Sequence, residues 1–385
     1  MLAKTPNRVA DYLAAIQHLA PVIAGHRASF DQERRLPDAV FNALADAGLF
    51  RLWLPQTFGG PELSSVEFMT VVEAASGLDG SVGWLVGNGA GMSRTGGYLP
   101  EEVARRWFAD PRAFIVSATG AVGAAQKVPG GYLLTGRWPF GSGAHHATHF
   151  MGLASPNGPD GANGPLLCCY FERHDVTIHD TWRVSGLRAT GSCDFEVRDL
   201  FVPEQCTHLF IGHEATQAGA LYRLPVISAF AWTVAVVPLG IARGAMDTFV
   251  ALAGRKTRMG TSALLRDRET VQSSVGRMQA LHDAARAFLI QAMTELMAAI
   301  ADEDVRLLQA RATFRAACSH AAESAVRIVD TLAAETGAAS IFEASPLERA
   351  VRDVHAAVKH IAMSPNNYTV AGRLLLGLDP GTGRF

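Results

Sequence analysis

Cysteine is scarce and unpatterned in this 385-residue chain: Cys168, Cys169, Cys193, Cys206 and Cys318 are odd in number and include no CxxC pair. Neither a disulfide framework nor a structural zinc site is expected from them. Charge is sparse as well, at 18% of residues, and Lys+Arg 34 against Asp+Glu 36 leave a formal net charge of -2. That balance gives no electrostatic reason to expect nucleic acid or an anionic membrane surface as a partner. Long apolar runs are missing too: Ser228 to Ile241 falls short of the about 20 residues that a membrane span needs, and burial inside a protein explains it better. The opening MLAKTPNRVADYLAAIQHLA lacks an apolar core followed by a small-residue cleavage site, so a cytoplasmic protein without a signal peptide is expected.

Phosphate-loop and hydrolase signatures are equally absent. No GxxxxGK[ST] loop occurs, and GNGAG, Gly87 to Gly91, follows no strand and has the wrong spacing for a dinucleotide fingerprint. The GSG around Ser142 is no nucleophile elbow, because Phe140 stands where the first glycine belongs. No short-period repeat is found, and SPNGPDGANGP, Ser155 to Pro165, reads as an exposed loop between two strands.

What is present falls into three regions. Residues 1–112 read as helical: Val9, Leu13, Ile16 and Leu19 recur at helical spacing, as do Val40, Leu44 and Ala47, with the turn-rich LPQTFGGPEL between. After it, Ser64 or Ser65 is available as an N-cap, with Glu67 able to complete the arrangement. Residues 113–224 change character: FIVSATG, GGYLLTGRWPFGSG, HFMGLA, LLCCYFE, VTIHDTW and DFEVRDLFVP are short apolar or alternating runs cut by Gly, Pro and Asn. They predict a small, mainly antiparallel β-domain. From 225 to 385 the pattern is helical again, through Val271, Val275, Met278, Leu281, Ala285 and Phe288, then Leu307 to Ala325, and a last helix over about Pro346 to Met363. Long amphipathic helices in succession suggest a bundle.

Several clusters carry chemistry, each with a plainer account beside it. AHHATHF sets His145 and His149 four apart, a metal-ligand spacing on a helix, but GRWPFGSG before it and the strand-like HFMGLA after it argue against one; no metal is expected. Trp138, Trp182 and Trp232 suit an aromatic pocket or, more commonly, a core. Arg255, Lys256 and Arg258 suit a phosphate or a solvated helix end.

The set VSGLRATGSCDFEVRDLFVPE (Val184 to Glu204), GRWPFGSG and the closing RDVHAAVKHI resembles the acyl-CoA dehydrogenase superfamily, and more narrowly its flavin-dependent monooxygenase branch (two-component, group D-like), over approximately residues 10 to 380. The resemblance implies an α+β, mainly α fold: an N-terminal helical domain, a central β-barrel-like domain and a C-terminal four-helix bundle, assembled as a homotetramer, a dimer of dimers. It places a flavin, FAD or FMN, between the β-domain and the bundle with help from a neighbouring subunit.

Position by position, the resemblance assigns Ser117 and Thr119 of IVSATG to the strand that approaches the flavin, and Ser142 to the hydroxyl near its reactive edge. Arg258, or equally Arg255 or Lys256, matches the flavin phosphate, and Gly337 in AAETGAAS matches the backbone approach from a partner subunit. Many acyl-CoA dehydrogenases carry, after the RD pair, a glutamate that abstracts the substrate α-proton; here that position falls on Ile361, which cannot take a proton. In the monooxygenase branch a histidine occupies the place of His360, whose ordinary pKa of about 6.5 suits proton exchange near neutral pH.

The function implied is oxygenation of a small aromatic or heteroaromatic substrate, indole- or phenol-like, by reduced FAD or FMN and O2 through a flavin C4a-hydroperoxide. His360 would deprotonate the substrate or stabilise the peroxide. His355, five residues earlier and so roughly 140° away around an ideal helix, would not act with it as a dyad and would be structural or near an interface. The reduced flavin would come from a separate NAD(P)H-flavin reductase, since the chain has no such fingerprint of its own. Trp84, Met92, His145 and Trp232 are candidates for the substrate pocket; Met92 stands where the branch often has a second histidine, a role His145 is placed to assume. The alternatives are an FAD-dependent acyl-CoA dehydrogenase or oxidase, and a non-catalytic flavin- or ligand-binding scaffold.

Overall fold

The computed structural model describes residues 9–156, 165–257, 260, 262–302 and 305–382. Five helices come first: α1 (Val9–Glu33), α2 (Asp38–Asp46), α3 (Ser65–Leu78), α4 (Gly80–Met92) and α5 (Glu101–Phe108). The entry to α3 is the capping box read from the sequence: Ser64 N–H donates to Glu67 at 2.8 Å, and Glu67 N–H donates back to Ser64 Oγ at 3.4 Å. Seven strands follow, β1 (Ile115–Val128), β2 (Gly131–Gly141), β3 (His149–Ser155), β4 (Leu167–Glu172), β5 (Thr177–His179), β6 (Cys193–Pro203) and β7 (Thr207–Leu209). They form one sheet in the order β5-β6-β2-β1-β3-β4-β7. Every pairing is antiparallel except that of β1 with β3. The remaining helices are α6 (Ala220–Arg223), α7 (Val226–Ala235), α8 (Val237–Ala253), α9 (Glu269–Ala301), α10 (Leu307–Thr336), α11 (Pro346–Ala357) and α12 (Asn366–Leu375).

Compactness divides the chain into two units whose boundaries differ from the three composition regions. The first takes α1, α2, α5, the sheet and the part of α4 from Leu85; the second takes Met69–Trp84, the tripeptide Ser185–Leu187 and the chain from Phe230 on. In the first unit Trp138 is the centre of the core. Its Nε1–H donates to the Leu153 carbonyl at 2.9 Å and its ring stacks on Phe195 at 5.4 Å. Gly123, Gly136 and Gly152 make room for it, since a Cβ at any of them would stand within 2.7 Å of the indole.

In the second unit α3 and α8 touch backbone to backbone. A Cβ on Gly240 would lie 2.4 Å from the Glu73 carbonyl oxygen and one on Gly244 would lie 2.2 Å from that of Gly77. Glu73 then pairs with Arg286 of α9 at 2.7 Å. Val226–Ala253 and Glu269–Ala301 are both long and apolar enough, by length and composition, to cross a membrane, which the sequence reading did not anticipate; 78% of the apolar window in the first is buried within the fold and 39% of that in the second.

The last expected helix is shorter than its pattern. α11 stops at Ala357, and His360 lies beyond it with extended backbone (φ -65°, ψ 137°) as the N-cap of a 3-10 turn over Ile361–Met363. Ser364 precedes Pro365, which disfavours helical backbone there, and the chain re-enters a helix only at α12. The angular argument that separated His355 from His360 on one helix therefore does not apply. His355 instead binds Asp330 at 2.9 Å on the surface of the bundle.

Candidate active site

Two groups of the expected residues are assembled, one in each unit. In the first unit, β2 ends in a bulge against β6 between Trp138 and Gly141, and Phe140 is driven to φ +65°. A non-glycine residue in that region costs about 1–3 kcal/mol, and the effect here is to turn the Phe140 ring outward, 66% exposed and edge-on to Trp182 at 6.3 Å. Ser142 follows at once, and its Oγ lies 2.8 Å from Ser192 Oγ, which lies 2.6 Å from Thr190 Oγ1. Three hydroxyls thus form a chain, and each can pass its proton orientation to the next.

Ser117 and Thr119 sit on β1 at a break in the sheet. The register with β3 is interrupted between Ala118 and Gly123, and pairing with β2 begins only at Ala124. Thr119, Gly120, Ala121 and Val122 therefore stand outside both registers, and Gly120 is exposed, with Pro139 alone within 4 Å of where a Cβ would stand. Small side chains and backbone groups outside a ladder fit the close approach of a planar heterocycle.

The three histidines of AHHATHF go three ways. Only 144–146 form a 3-10 turn, and β3 starts at His149. His145 Nε2 meets the Cys193 thiol at 3.6 Å, and burial pushes that thiol's pKa up, so the pair is neutral. His146 stacks on Phe41 at 4.1 Å and reaches the Leu36 carbonyl at 2.8 Å, while His149 stacks on Trp107 at 4.2 Å. Burial pushes His146 and His149 down to about 4.

In the second unit His360 and Trp84 come together, with rings 5.6 Å apart and edge to face at 73°. His360 Nδ1 accepts the Ala362 N–H at 3.2 Å. A neutral imidazole whose Nδ1 accepts carries its proton on Nε2. That nitrogen has no hydrogen-bond partner among the described residues, and the residue as a whole is part-buried. Burial, followed by the Arg315 guanidinium, pushes the pKa down to about 4. The ring is thus held neutral at pH 7 and presents an N–H.

The segment leading to His360 is tied down by the RD pair. Arg352 donates to Glu348 at 2.6 Å and to the Ser185 carbonyl at 3.0 Å, and Asp353 Oδ1 accepts the Leu187 N–H at 2.7 Å. Asp79 caps α4 by accepting the Ser81 N–H at 2.9 Å, and it stands beside Asp353. Burial first, then the Asp79 charge, raises the Asp353 pKa. Two of the three stretches that carried the resemblance are therefore in contact through backbone and carboxylate, at Ser185 and Leu187 of the first and at Arg352 and Asp353 of the last.

The other expected residues are dispersed. Trp232 is 1% exposed and packs on Phe314 at 5.2 Å, inside the bundle core. Met92 is buried at the end of α4. Gly337 caps α10 with φ 67° and has open space around it, and Lys256 Nζ donates to the neighbouring Thr336 carbonyl at 2.6 Å. Arg255 turns back onto Ala251, and Arg258 lies outside the described residues. Thr190 and Ser192 were not singled out from the sequence, although both lie in a quoted motif; Arg315 and Asn367 had no local signal at all.

Comparison with known proteins gives a consistent result. Residues 14–110 match the acyl-CoA dehydrogenase N-terminal domain and residues 232–365 the acyl-CoA dehydrogenase C-terminal domain. The chain is 30% identical to indole-3-acetate monooxygenase of Pseudomonas putida, over 92% of this chain and 90% of that one. It is 30% identical to the oxygenase subunit HsaA, a flavin-dependent monooxygenase of Mycobacterium tuberculosis, over 96% of each. Among solved structures, XiaF from Streptomyces sp. in complex with FADH2 and glycerol superposes with a TM-score of 0.88 at 29% identity, covering 97% of each chain.

Proposed function

Because the chain belongs to the acyl-CoA dehydrogenase superfamily, in its flavin-dependent monooxygenase branch, we propose that it oxygenates a small aromatic or heteroaromatic molecule, indole- or phenol-like, with reduced flavin and O2. The observation that carries this reading is the neutral His360 followed by Ile361, 72% exposed, where a dehydrogenase of the family has its carboxylate base. An N–H donor beside an aliphatic side chain suits charge developing on oxygen, not removal of a carbon-bound proton.

The donor set fits a flavin. The hydroxyl chain from Ser142 to Thr190, the β1 segment after Ser117 that leaves its registers from Thr119 to Val122, and the outward Phe140 ring are groups that hold a planar ring with polar edges. When bound and reduced, the flavin supplies the two electrons with which O2 is activated. Ser142 orients its hydroxyl through Ser192, and His360 offers Nε2–H to an oxygen gaining negative charge. Trp84, in edge contact with His360, gives an aromatic substrate an apolar wall.

The reading extends to partners. HsaA is named an oxygenase subunit, and this chain has no dinucleotide fingerprint, which together support a separate NAD(P)H-flavin reductase. A homotetramer is supported by Ile341 at 73% and Phe342 at 64% exposure just after Gly337, apolar side chains that a partner subunit would cover. A cytoplasmic location fits an enzyme that depends on a reductase and its nicotinamide.

The test is anaerobic. Titration with FADH2, FMNH2 and their oxidised forms is expected to show tighter binding of the reduced flavin, and short- and medium-chain acyl-CoA esters are expected to leave bound oxidised flavin unreduced. Rapid bleaching by an acyl-CoA would move the chain to the dehydrogenase reading.

A further inference from the structure

Arg315, on α10, is 6% exposed and has no carboxylate partner among the described residues. Its Nε and Nη2 donate to Asn367 Oδ1 at 3.2 and 3.0 Å, and Nη2 also donates to the Ile361 carbonyl at 3.4 Å. Asn367 uses its other half as fully, since Nδ2 donates to Ser319 Oγ and to the Ala362 carbonyl, both at 2.9 Å. The amide has one workable orientation, because exchanging O and N would turn donors toward a guanidinium. Ser319 then donates to the Ser364 carbonyl at 2.8 Å. Three carbonyls of the turn after His360 are thereby held from α10, directly or through Asn367.

The peptide between Ile361 and Ala362 is the link to chemistry. Its carbonyl accepts from Arg315 and its N–H donates to His360 Nδ1. A cation on the carbonyl polarises the amide and strengthens the N–H as a donor. A strong donor at Nδ1 excludes a proton there and leaves Nε2 as the protonated nitrogen.

We propose that Arg315 is a positioning residue: acting through the Ile361–Ala362 peptide, it locks His360 as an Nε2–H donor. The role rests on the reading of His360 given above. The electrostatics point the same way, because after burial the Arg315 charge is what lowers the proton affinity of His360. Removing Arg315 frees the ring to take either tautomer and raises its affinity for a proton.

The experiment is solid-state nitrogen NMR of the flavin-free protein with labelled histidine, the His360 signals being those lost in His360→Asn. The wild type is expected to show an unprotonated Nδ1 and a protonated Nε2, unchanged from about pH 5.5 to about 8. Arg315→Met is expected to show both tautomers and a titration midpoint above that of the wild type, with Arg315→Lys restoring part of the wild-type pattern. Should Arg315→Met fail to fold, Arg315→Gln keeps a donor for Asn367 and removes the charge, with the same spectral change expected.

Wild-type His360 signals in a folded Met or Gln variant overturn the proposal. In turnover, Arg315→Met is expected to lower product per flavin oxidised roughly tenfold; an unchanged ratio beside a shifted tautomer would remove Arg315 from the reaction. Because the NMR arm needs neither flavin nor substrate, failure to oxygenate any substrate strikes the function and leaves the tautomer result standing.

Discussion

The Ala362 N–H donates to His360 Nδ1 across 3.2 Å, and that single contact fixes what the histidine can do. With Nδ1 occupied, the ring offers a proton at Nε2 and holds no free lone pair for taking one. The position after it, aliphatic in this chain, supplies no base either. What this turn presents is a donor.

His360→Ala should keep the fold and lower product formation on the order of 100-fold, the loss associated with removing one preorganised donor to a developing oxyanion. His360→Asn, which keeps an N–H, should recover part of it. With the pKa pushed down to about 4, the wild-type rate should show no limb from His360 between about pH 5 and 8. Product quantified against flavin consumed across that range, for all three proteins, checks both statements.

Ser142→Ala removes the end of the hydroxyl chain, and Ser192→Ala removes its support. Both should weaken reduced-flavin affinity or coupling by about three- to tenfold, the scale of one net hydrogen bond. The double variant should cost little more than Ser142→Ala alone, because Ser192 acts through Ser142. Equilibrium titration with anaerobic flavin reads the comparison, and additive losses would mean that the two hydroxyls act separately.

Gly186→Ala tests the tie between the Ser185–Leu187 tripeptide and α11. A Cβ there would stand 2.0 Å from the Arg352 carbonyl oxygen, so backbone must separate from backbone. A loss of about 3 kcal/mol or more is expected, at the upper end for overpacking. Asp353→Asn keeps an acceptor for the Leu187 N–H and removes the repulsion with Asp79, so it should cost under about 1 kcal/mol. Urea midpoints at neutral pH separate the two cases.

Acid stability follows from four histidines held neutral. His146, His149, His208 and His360 are each pushed down to about 4 by burial, against about 6.5 when unfolded. Between those values the unfolded chain binds more protons, so stability should fall as pH drops from about 6.5 toward 4. Asp353 works in the opposite sense, because its raised pKa makes the folded state hold a proton that the unfolded state releases. Four protons gained and one released leave a net uptake of about three on unfolding near pH 5.5 from these groups. The slope of unfolding free energy against pH measures it, and His146→Phe should reduce that slope by about one proton.

How much of this was legible in the sequence depends on distance along the chain. The capping box at Ser64 and Glu67 was readable because its partners are three residues apart, and the strands from Ile115 to Pro203 were readable from period and punctuation. The end of α11 was misread by about six residues, since apolar periodicity runs through Ile361 and Ala362 and nothing local announces that His360 captures a backbone N–H. Trp84 and His360 were each singled out, but their contact joins α4 to the end of the chain. The Arg315–Asn367–Ser319 clamp was invisible for a different reason: an arginine in an amphipathic helix looks solvated until the fold buries it. Thr190 and Ser192 lay inside a quoted motif, where family resemblance drew attention to the stretch and not to the hydroxyls.

The most direct test of the account is isotopic. The purified chain, reduced FAD or FMN and 18O2 would be mixed with a panel of indoles and phenols, and products examined by mass spectrometry. The account predicts one 18O atom in an aromatic product, formed with reduced flavin as the sole reductant and lost in His360→Ala. Flavin oxidation that yields only labelled hydrogen peroxide across the panel, with rapid reduction of the bound oxidised flavin by an acyl-CoA ester, would contradict it.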